Sequence, residues 1–406
     1  MVVQRFLRLS KRARNTPPSP IRKLAPLAQA AKARGTSVYH LNIGQPDIET
    51  PTCFFEGMHR YHDSVLAYEQ SGGNERLRSA WCNYFNQSLK LKLPVESFLI
   101  TTGASEALIF LFMATCDPGD EIIVFDPTYA NYKSFAATAG VDLISVQSSL
   151  EDNFALPDSS QIEERISNRT RAILLCNPNN PTGTVYSRAE IERLLEIANR
   201  HNLFFIVDET YREFVYDSLK PLSVFHISSD NDRVVVVDSL SKRFSLCGAR
   251  IGCLITSNRN LLQAVMNQAQ ARLASPTVEQ IAAAHMLETI DAGFIDPIIK
   301  EYQNRRDVAL KALQQLPKVQ IVRPEGAFYA LVGLPVEDSG EFARFMLENF
   351  SDDKATTFVA PAEGFYMQDG LGRSEIRVAF VLEADALKRA IEILGRGLEE
   401  YLRGGR

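Results

Sequence analysis

Lys242 lies in Ser239-Leu240-Ser241-Lys242-Arg243, directly after the aliphatic run Val234–Val237, with Arg250 following in Gly248-Ala249-Arg250-Ile251-Gly252. An amine among hydroxyls with a guanidinium close by suits a reaction at the amine next to an anion. The plain alternative is that Lys242 and Arg243 form a solvated charge pair. Asp208 closes a second aliphatic run, Leu203–Val207, and Tyr211 comes three residues later. A carboxylate at the mouth of a core strand is costly unless compensated, so a cationic partner is expected for Asp208. Thr101-Thr102-Gly103-Ala104-Ser105-Glu106 turns a strand through glycine into a helix. Its free N–H groups and hydroxyl suit a phosphate, although the same residues also make an ordinary turn and N-cap. Asn177-Pro178-Asn179-Asn180-Pro181-Thr182-Gly183 is a rigid turn whose amides, Asn180 among them, either face a ligand or simply shape the turn.

These groups all follow short apolar runs. Phe98–Thr101, Glu121–Phe125, Ala172–Cys176, Leu203–Val207 and Val234–Val237 read as strands, with helices at Ser105–Cys116 and Arg188–His201. Continuous aliphatic runs imply strands covered on both faces, and polar residues just beyond strand ends mark where open α/β sheets bind ligands. The fold class is therefore α/β: a mostly parallel sheet wrapped by helices. After Asp296-Pro297 the texture changes to a long polar helix (Ile298–Gln315), short strands (Val319–Val322, Ala327–Leu331, Ile376–Ala379) and helices near Glu341–Glu348 and over Glu383–Leu402. That mixture reads as a smaller α+β domain. The expected division is a basic arm over 1–18, a segment over 19–50 packing with the small domain, a large domain over 51–296, and a small domain over 297–406. Within the second of these, Ile21–Arg34 reads as a helix stopped by Gly35.

Of the 406 residues, 45% are hydrophobic and 23% charged, which is globular composition. The net charge of −5 argues against a nucleic-acid binder. Apolar runs such as Ala107–Ala114 fall far short of the ~20 residues of a membrane span. Nine Lys and Arg precede the first acid, Asp47. Such a start reads as a solvated basic arm on a cytoplasmic protein, with an organellar transit peptide as the alternative. Six cysteines without a C-x-x-C pair read as core residues in a reducing compartment. His59 and His62 have a helical spacing but no third ligand nearby, so no metal is expected.

The ordered set Gly-Ala-Ser, Asn-Pro-Thr-Gly, Asp-x-x-Tyr, Ser-x-Ser-Lys and Gly-x-Arg-x-Gly resembles the class I/II aminotransferases of pyridoxal-phosphate fold type I. The resemblance runs from Leu41-Asn42-Ile43-Gly44-Gln45-Pro46-Asp47 to Arg377 and implies a seven-stranded-type sheet. It implies pyridoxal 5′-phosphate as cofactor, held as a Schiff base on Lys242, which then acts as base and acid of the proton shift. Asp208 would pair with the ring nitrogen, Tyr211 and Asn180 with the ring oxygen, and Tyr129 would stack on the ring. Ala104, Ser105, Ser239 and Arg250 would hold the phosphate, together with Tyr68 reaching across a homodimer with shared active sites. Arg377 and Gly44 would hold the substrate α-carboxylate, Asn180 would contact the substrate as well as the ring, and Phe328 and Tyr329 would wall the pocket. The implied reaction moves an amino group between an α-amino acid, such as aspartate, and a 2-oxo acid such as 2-oxoglutarate. A lyase eliminating at Cβ is the alternative, because its motifs would look the same. One departure bears on substrate: some relatives that act on aspartate carry Lys at the position of Ser105. Here a dicarboxylate would need another cation, Arg22 or Lys23, or the substrate differs.

Overall fold

The computed structural model describes residues 7–404. Strand β1 (Ser37–His40) belongs to the N-terminal segment; β2 (Phe98–Thr101), β3 (Glu121–Asp126), β4 (Asp142–Gln147), β5 (Thr170–Cys176), β6 (Phe204–Asp208), β7 (Val234–Ser239) and β8 (Gly252–Thr256) form one sheet. The C-terminal part adds β9 (Gln320–Ile321), β10 (Tyr329–Gly333), β11 (Ala355–Phe358), β12 (Ala360–Pro361) and β13 (Glu375–Ala379).

The large sheet has the order β2-β8-β7-β6-β5-β3-β4, parallel throughout except for β8, which runs antiparallel to both β2 and β7. Val234, Val235, Val236 and Val237 are all fully buried, because helices cover both faces. On one face, Trp81 and Phe85 of helix Glu75–Leu89, Ile191 and Leu194 of helix Arg188–Arg200, and Met286 of helix Thr277–Thr289 form one core with Val234 and Val236. On the other, Leu108 of helix Gly103–Thr115, Tyr132 of helix Asn131–Ala139 and Val265 of helix Arg259–Arg272 pack on Val235 and Val237. Helix Arg188–Arg200 shows why these segments are helical. Ser187 and Glu190 form a capping box, and Ile191, Leu194, Leu195 and Ala198 bury one face. Truncating Leu194 to Ala would cost about 2–5 kcal/mol.

A third core gathers the C-terminal helices Ile295–Leu313, Ser339–Glu348 and Ala384–Leu402 around β10, β11 and β13. β1 pairs in parallel with β11, from Ser37 opposite Ala355 to His40 opposite Phe358. The strap that follows is pinned on both sides: Leu41 N–H donates to Phe358 O (2.9 Å) and Ala379 N–H donates to Leu41 O (2.8 Å).

Several elements differ from expectation. The helix read over Ile21–Arg34 runs only from Ala25 to Ala33, because Pro20 and the turn after Ser19 hold Arg22 and Lys23 outside it. The strand read at Ala327–Leu331 is shifted to Tyr329–Gly333, since Ala327 has a positive φ of 52°. β4 and β8 were not foreseen. Of the arm over 1–18, the first six residues lie outside the described residues; Lys11–Asn15 forms one exposed helical turn near helix Asn131–Ala139.

Candidate active site

The strand ends of β2, β5, β6 and β7 converge with the strap of residues 41–44 and with β10 and β13. Asp208 sits at the end of β6, opposite Cys176 and Val237, and is 5% exposed. Its Oδ2 accepts from Tyr132 OH (2.8 Å); Oδ1 accepts from the Thr210 hydroxyl (2.6 Å) and N–H (3.1 Å). Burial raises its pKa, and the Thr210 and Tyr132 hydrogen bonds pull it partly back. Among the described residues no Lys or Arg pairs with Asp208, so its cationic partner is not a side chain of theirs. What the sequence missed here is Tyr132, which belongs to no motif.

Lys242 projects from the single helical turn Leu240–Arg243. Its Nζ donates to Gly44 O (2.8 Å), lies 3.8 Å from Cys247 Sγ and stands 5.9 Å from the centre of the Phe328 ring. Arg243 is 1% exposed, so the solvated charge pair is ruled out. Gly44 must be glycine for space. A Cβ there would stand 1.8 Å from Tyr329 Oη. That hydroxyl in turn bonds Tyr211 OH (2.9 Å), and Tyr211 packs edge-on against Phe328 and Tyr329.

Arg377 is 1% exposed on β13, opposite Leu331. Tyr329, two residues back along β10, lies on the same face, and its ring sits 4.3 Å from the guanidinium; Phe365 covers the other side at 4.8 Å. Nη1 donates to Asn180 Oδ1 (2.9 Å) and Nη2 to Asn42 O (2.6 Å), while Nε is buried without a partner among the described residues. Asn180 thus faces Arg377 through its amide oxygen. Asn42, also missed, fixes its own side chain between His40 Nδ1 (3.2 Å) and Ile21 O (3.1 Å). Burial pushes the Tyr129 hydroxyl up to about 12; Tyr329 and Asp208 also raise it, while Arg377 and Arg22 pull it back. Arg22 and Lys23 are both exposed.

Below Asp208 and Lys242, helix Gly103–Thr115 begins with an N-cap, Thr102, whose side chain does not cap it. Two glycines bring backbones into contact here. A Cβ on Gly252 would meet Gly103 C at 2.4 Å, and one on Gly103 would meet Arg250 Nη2 at 2.4 Å. The Arg250 guanidinium therefore lies over the helix start, two residues before Ser105, and at the end of β7 Ser239 Oγ donates to Ser241 Oγ (2.9 Å). First-turn N–H groups, serine hydroxyls and an arginine make a phosphate donor set. A buried carboxylate without a cation lies at a strand end, with an amine nearby, so the residues fit a phosphorylated pyridine aldehyde. Tyr68 stands apart. It is 81% exposed and makes no hydrogen bond or ring contact among the described residues.

Fold and site together define a pyridoxal-phosphate enzyme of the α/β type. The family model for aminotransferase class I and II matches residues 36–394, and the chain belongs to that family. Aspartate aminotransferase of Thermotoga maritima is 30% identical over 97% of this chain and 99% of its own. Aspartate aminotransferase from Thermus thermophilus with maleate superposes with a TM-score of 0.86 at 27% identity, covering 97% of this chain and all of that one. Alanine aminotransferase of Pyrococcus furiosus gives 0.88 at 28%, with the same coverage. The protein uses pyridoxal 5′-phosphate and moves an amino group between an amino acid and a 2-oxo acid; elimination at Cβ is not favoured. No described helix is long and apolar enough to cross a membrane.

Proposed function

We propose that this aminotransferase works through Lys242, with Asp208, Tyr211, Tyr129 and Asn180 around the cofactor ring. Ala104, Ser105, Ser239 and Arg250 take its phosphate. Arg377 takes the substrate α-carboxylate under the strap at Gly44. The observation that carries the reading is the buried Asp208 carboxylate, which burial drives toward neutrality and no Lys or Arg among the described residues compensates. When bound, the cofactor supplies an aldehyde and a ring that withdraws electrons from the substrate Cα.

The chain's own tasks follow from position. Asp208 holds a proton or a cation at the ring's edge. Lys242 Nζ, next to Gly44 O, offers the amine and carries the proton that leaves Cα and returns elsewhere. Arg377, flanked by Tyr329 and Phe365, presents a planar fork with one free Nε–H to a carboxylate. Segment 19–50 accompanies the small part over 297–406, a division that the β1–β11 pairing supports. The protein is read as cytoplasmic.

Relatives of similar likeness are named for aspartate and for alanine, so likeness leaves the donor open. A dicarboxylic donor is favoured by Arg22, an exposed guanidinium acting on Tyr129 and without an acidic partner among the described residues. Replacing Arg22 and Lys23 by Gln should lower kcat/KM for aspartate or glutamate about 10–100-fold, the loss of one charged hydrogen bond. Uncharged donors should be spared, whereas Arg377→Lys should penalise every donor alike. Equal losses for both donor classes in the Gln variant would defeat the dicarboxylate reading. For the catalytic assignment the test is Lys242→Ala, which should still bind pyridoxal 5′-phosphate yet lose at least about 10³-fold in kcat. Near-normal turnover would remove Lys242 from the reaction.

A further inference from the structure

Behind the site lies a cluster of five charged side chains that the chemistry above does not use. Glu209, Arg212, Asp238 and Arg243 are at most 1% exposed and Glu213 is 4%. Arg212 pairs with Glu209 (3.0 Å), Glu213 (2.8 Å) and Asp238 (3.4 Å); Arg243 pairs with Glu213 (2.8 Å) and Asp238. Trp81 Nε1 donates to Asp238 Oδ2 (3.2 Å), and Arg212 lies 4.4 Å over the Phe85 ring. Four of the five are chain neighbours of a site residue: Glu209 of Asp208, Arg212 of Tyr211, Asp238 of Ser239, and Arg243 of Lys242. Asp238 and Ser239 share strand β7, where successive residues point to opposite faces, while the other pairs lie at the end of β6, in the turn after it and on the turn Leu240–Arg243.

Stability does not account for such a cluster. Three carboxylates face two guanidiniums, and Arg212 Nε, Glu213 Oε2 and Arg243 Nε are buried without partners among the described residues. Apolar side chains of similar volume commonly serve a fold as well as buried ion pairs do. Geometry does account for it. Lys242 sits on a four-residue helical turn, too short to hold its own direction. That turn is fixed at one end by Ser239, whose Oγ accepts from Ser241 N–H (3.1 Å), and at the other by the Arg243 fork. The same oxygen, Glu213 Oε1, accepts from Arg243 and from Arg212, each at 2.8 Å. One atom thereby registers the segment carrying Lys242 against the segment carrying Asp208 and Tyr211.

We propose that Arg243 and Arg212, joined through Glu213, are positioning residues that hold Lys242 Nζ at one fixed setting relative to Asp208 and Tyr211. This rests on the assignment of Lys242 as the reacting amine. The holoenzyme is compared with Arg243→Lys, which keeps the charge but loses the fork, and with the charge-balanced Arg243→Met/Glu213→Leu. In both, kcat should fall about 10–100-fold with the KM for the amino donor changed less than about threefold. The pH midpoint of the bound cofactor's visible absorbance should move by about half a unit or more, because Lys242 has shifted. Unfolding temperature should stay within a few degrees of wild type in Arg243→Lys. Wild-type kcat and an unmoved midpoint in Arg243→Lys would overturn the proposal, whether or not the double variant folds. If Lys242→Ala itself turned over normally, the error would lie in the assignment of Lys242, and that result separates the two failures.

Discussion

Asp208 and Arg377 show how the same physical demand, a charge in a buried place, is met in opposite ways. Arg377 is held between two rings and two oxygens; burial lowers its pKa, but a guanidinium stays ionised. Asp208 has only neutral donors, and its carboxyl is driven toward the protonated form. A group in that state makes a strong electrostatic contact once a cation arrives. Asp208→Asn should therefore lower kcat by roughly 10²–10³-fold or more, the scale of losing an electrostatic contact made in the transition state. Asp208→Glu should lose less, and a loss under about tenfold for the Asn variant would place Asp208 outside the cofactor site.

At the scale of elements, β3 ends in a second buried carboxylate. Asp126 Oδ2 accepts from Met367 N–H (2.8 Å), and Thr128 N–H donates to Phe365 O (2.8 Å), so this strand end holds the loop that covers Arg377. Burial raises the Asp126 pKa from 3.8 to about 6, against the Met367 hydrogen bond, and Oδ1 is left without a partner among the described residues. The folded state therefore binds this proton more tightly than the unfolded chain does. The stability it contributes is complete below 3.8 and is lost as pH rises through about 6. Asp126→Asn cannot ionise, so its urea-unfolding free energy should gain on wild type by about 2 kcal/mol between about pH 4.5 and pH 7. A difference that does not vary with pH would show that Asp126 does not titrate there.

Strands such as Val234–Val237 were legible because four consecutive β-branched residues, buried on both faces, leave no other reading. β4 was not legible: Asp142–Gln147 is an edge strand, half-exposed and polar at both ends. β8 hides behind the Gly-x-Arg-x-Gly signal, which drew the eye to chemistry at Arg250 rather than to the strand it opens. The motif residues at Lys242, Asp208, Asn180 and Arg377 do come together, because each follows or occupies a buried strand whose end is fixed by its neighbours. Tyr132, Asn42 and Phe365 were missed for a common reason. They serve the site from a helix, a strap and a loop whose approach depends on tertiary packing, and no local spacing encodes that.

At the scale of the whole molecule, Phe55, Val65, Leu66, Tyr68 and Leu273 leave large apolar side chains half or more exposed. In the homodimer that the family resemblance implies, these side chains would meet a second copy, and Tyr68 would reach the partner's phosphate site. Sedimentation should find twice the 45.4-kDa chain mass. Tyr68→Phe should weaken pyridoxal 5′-phosphate binding about tenfold or more without dissociating the dimer, since it removes one hydroxyl donor to an anion. A monomeric wild type, or an unchanged dissociation constant, would refute this role.

The aromatic contacts around Tyr211 bear on how such a molecule admits its substrate. Tyr211 and Phe214 leave the large sheet and join Phe328, Tyr302 and Tyr329 with ring centres 5.1–5.6 Å apart, inside the C-terminal core. The two halves are thus welded beneath the site, and close-packed rings do not slide past one another without loss. A wholesale swing of the C-terminal half would have to pull on Tyr211, three residues beyond Asp208. The strap follows that half, since Ile21 is latched to Asn42, and Leu41 and β1 are pinned to the C-terminal strands, so cover and floor of the site share one anchorage.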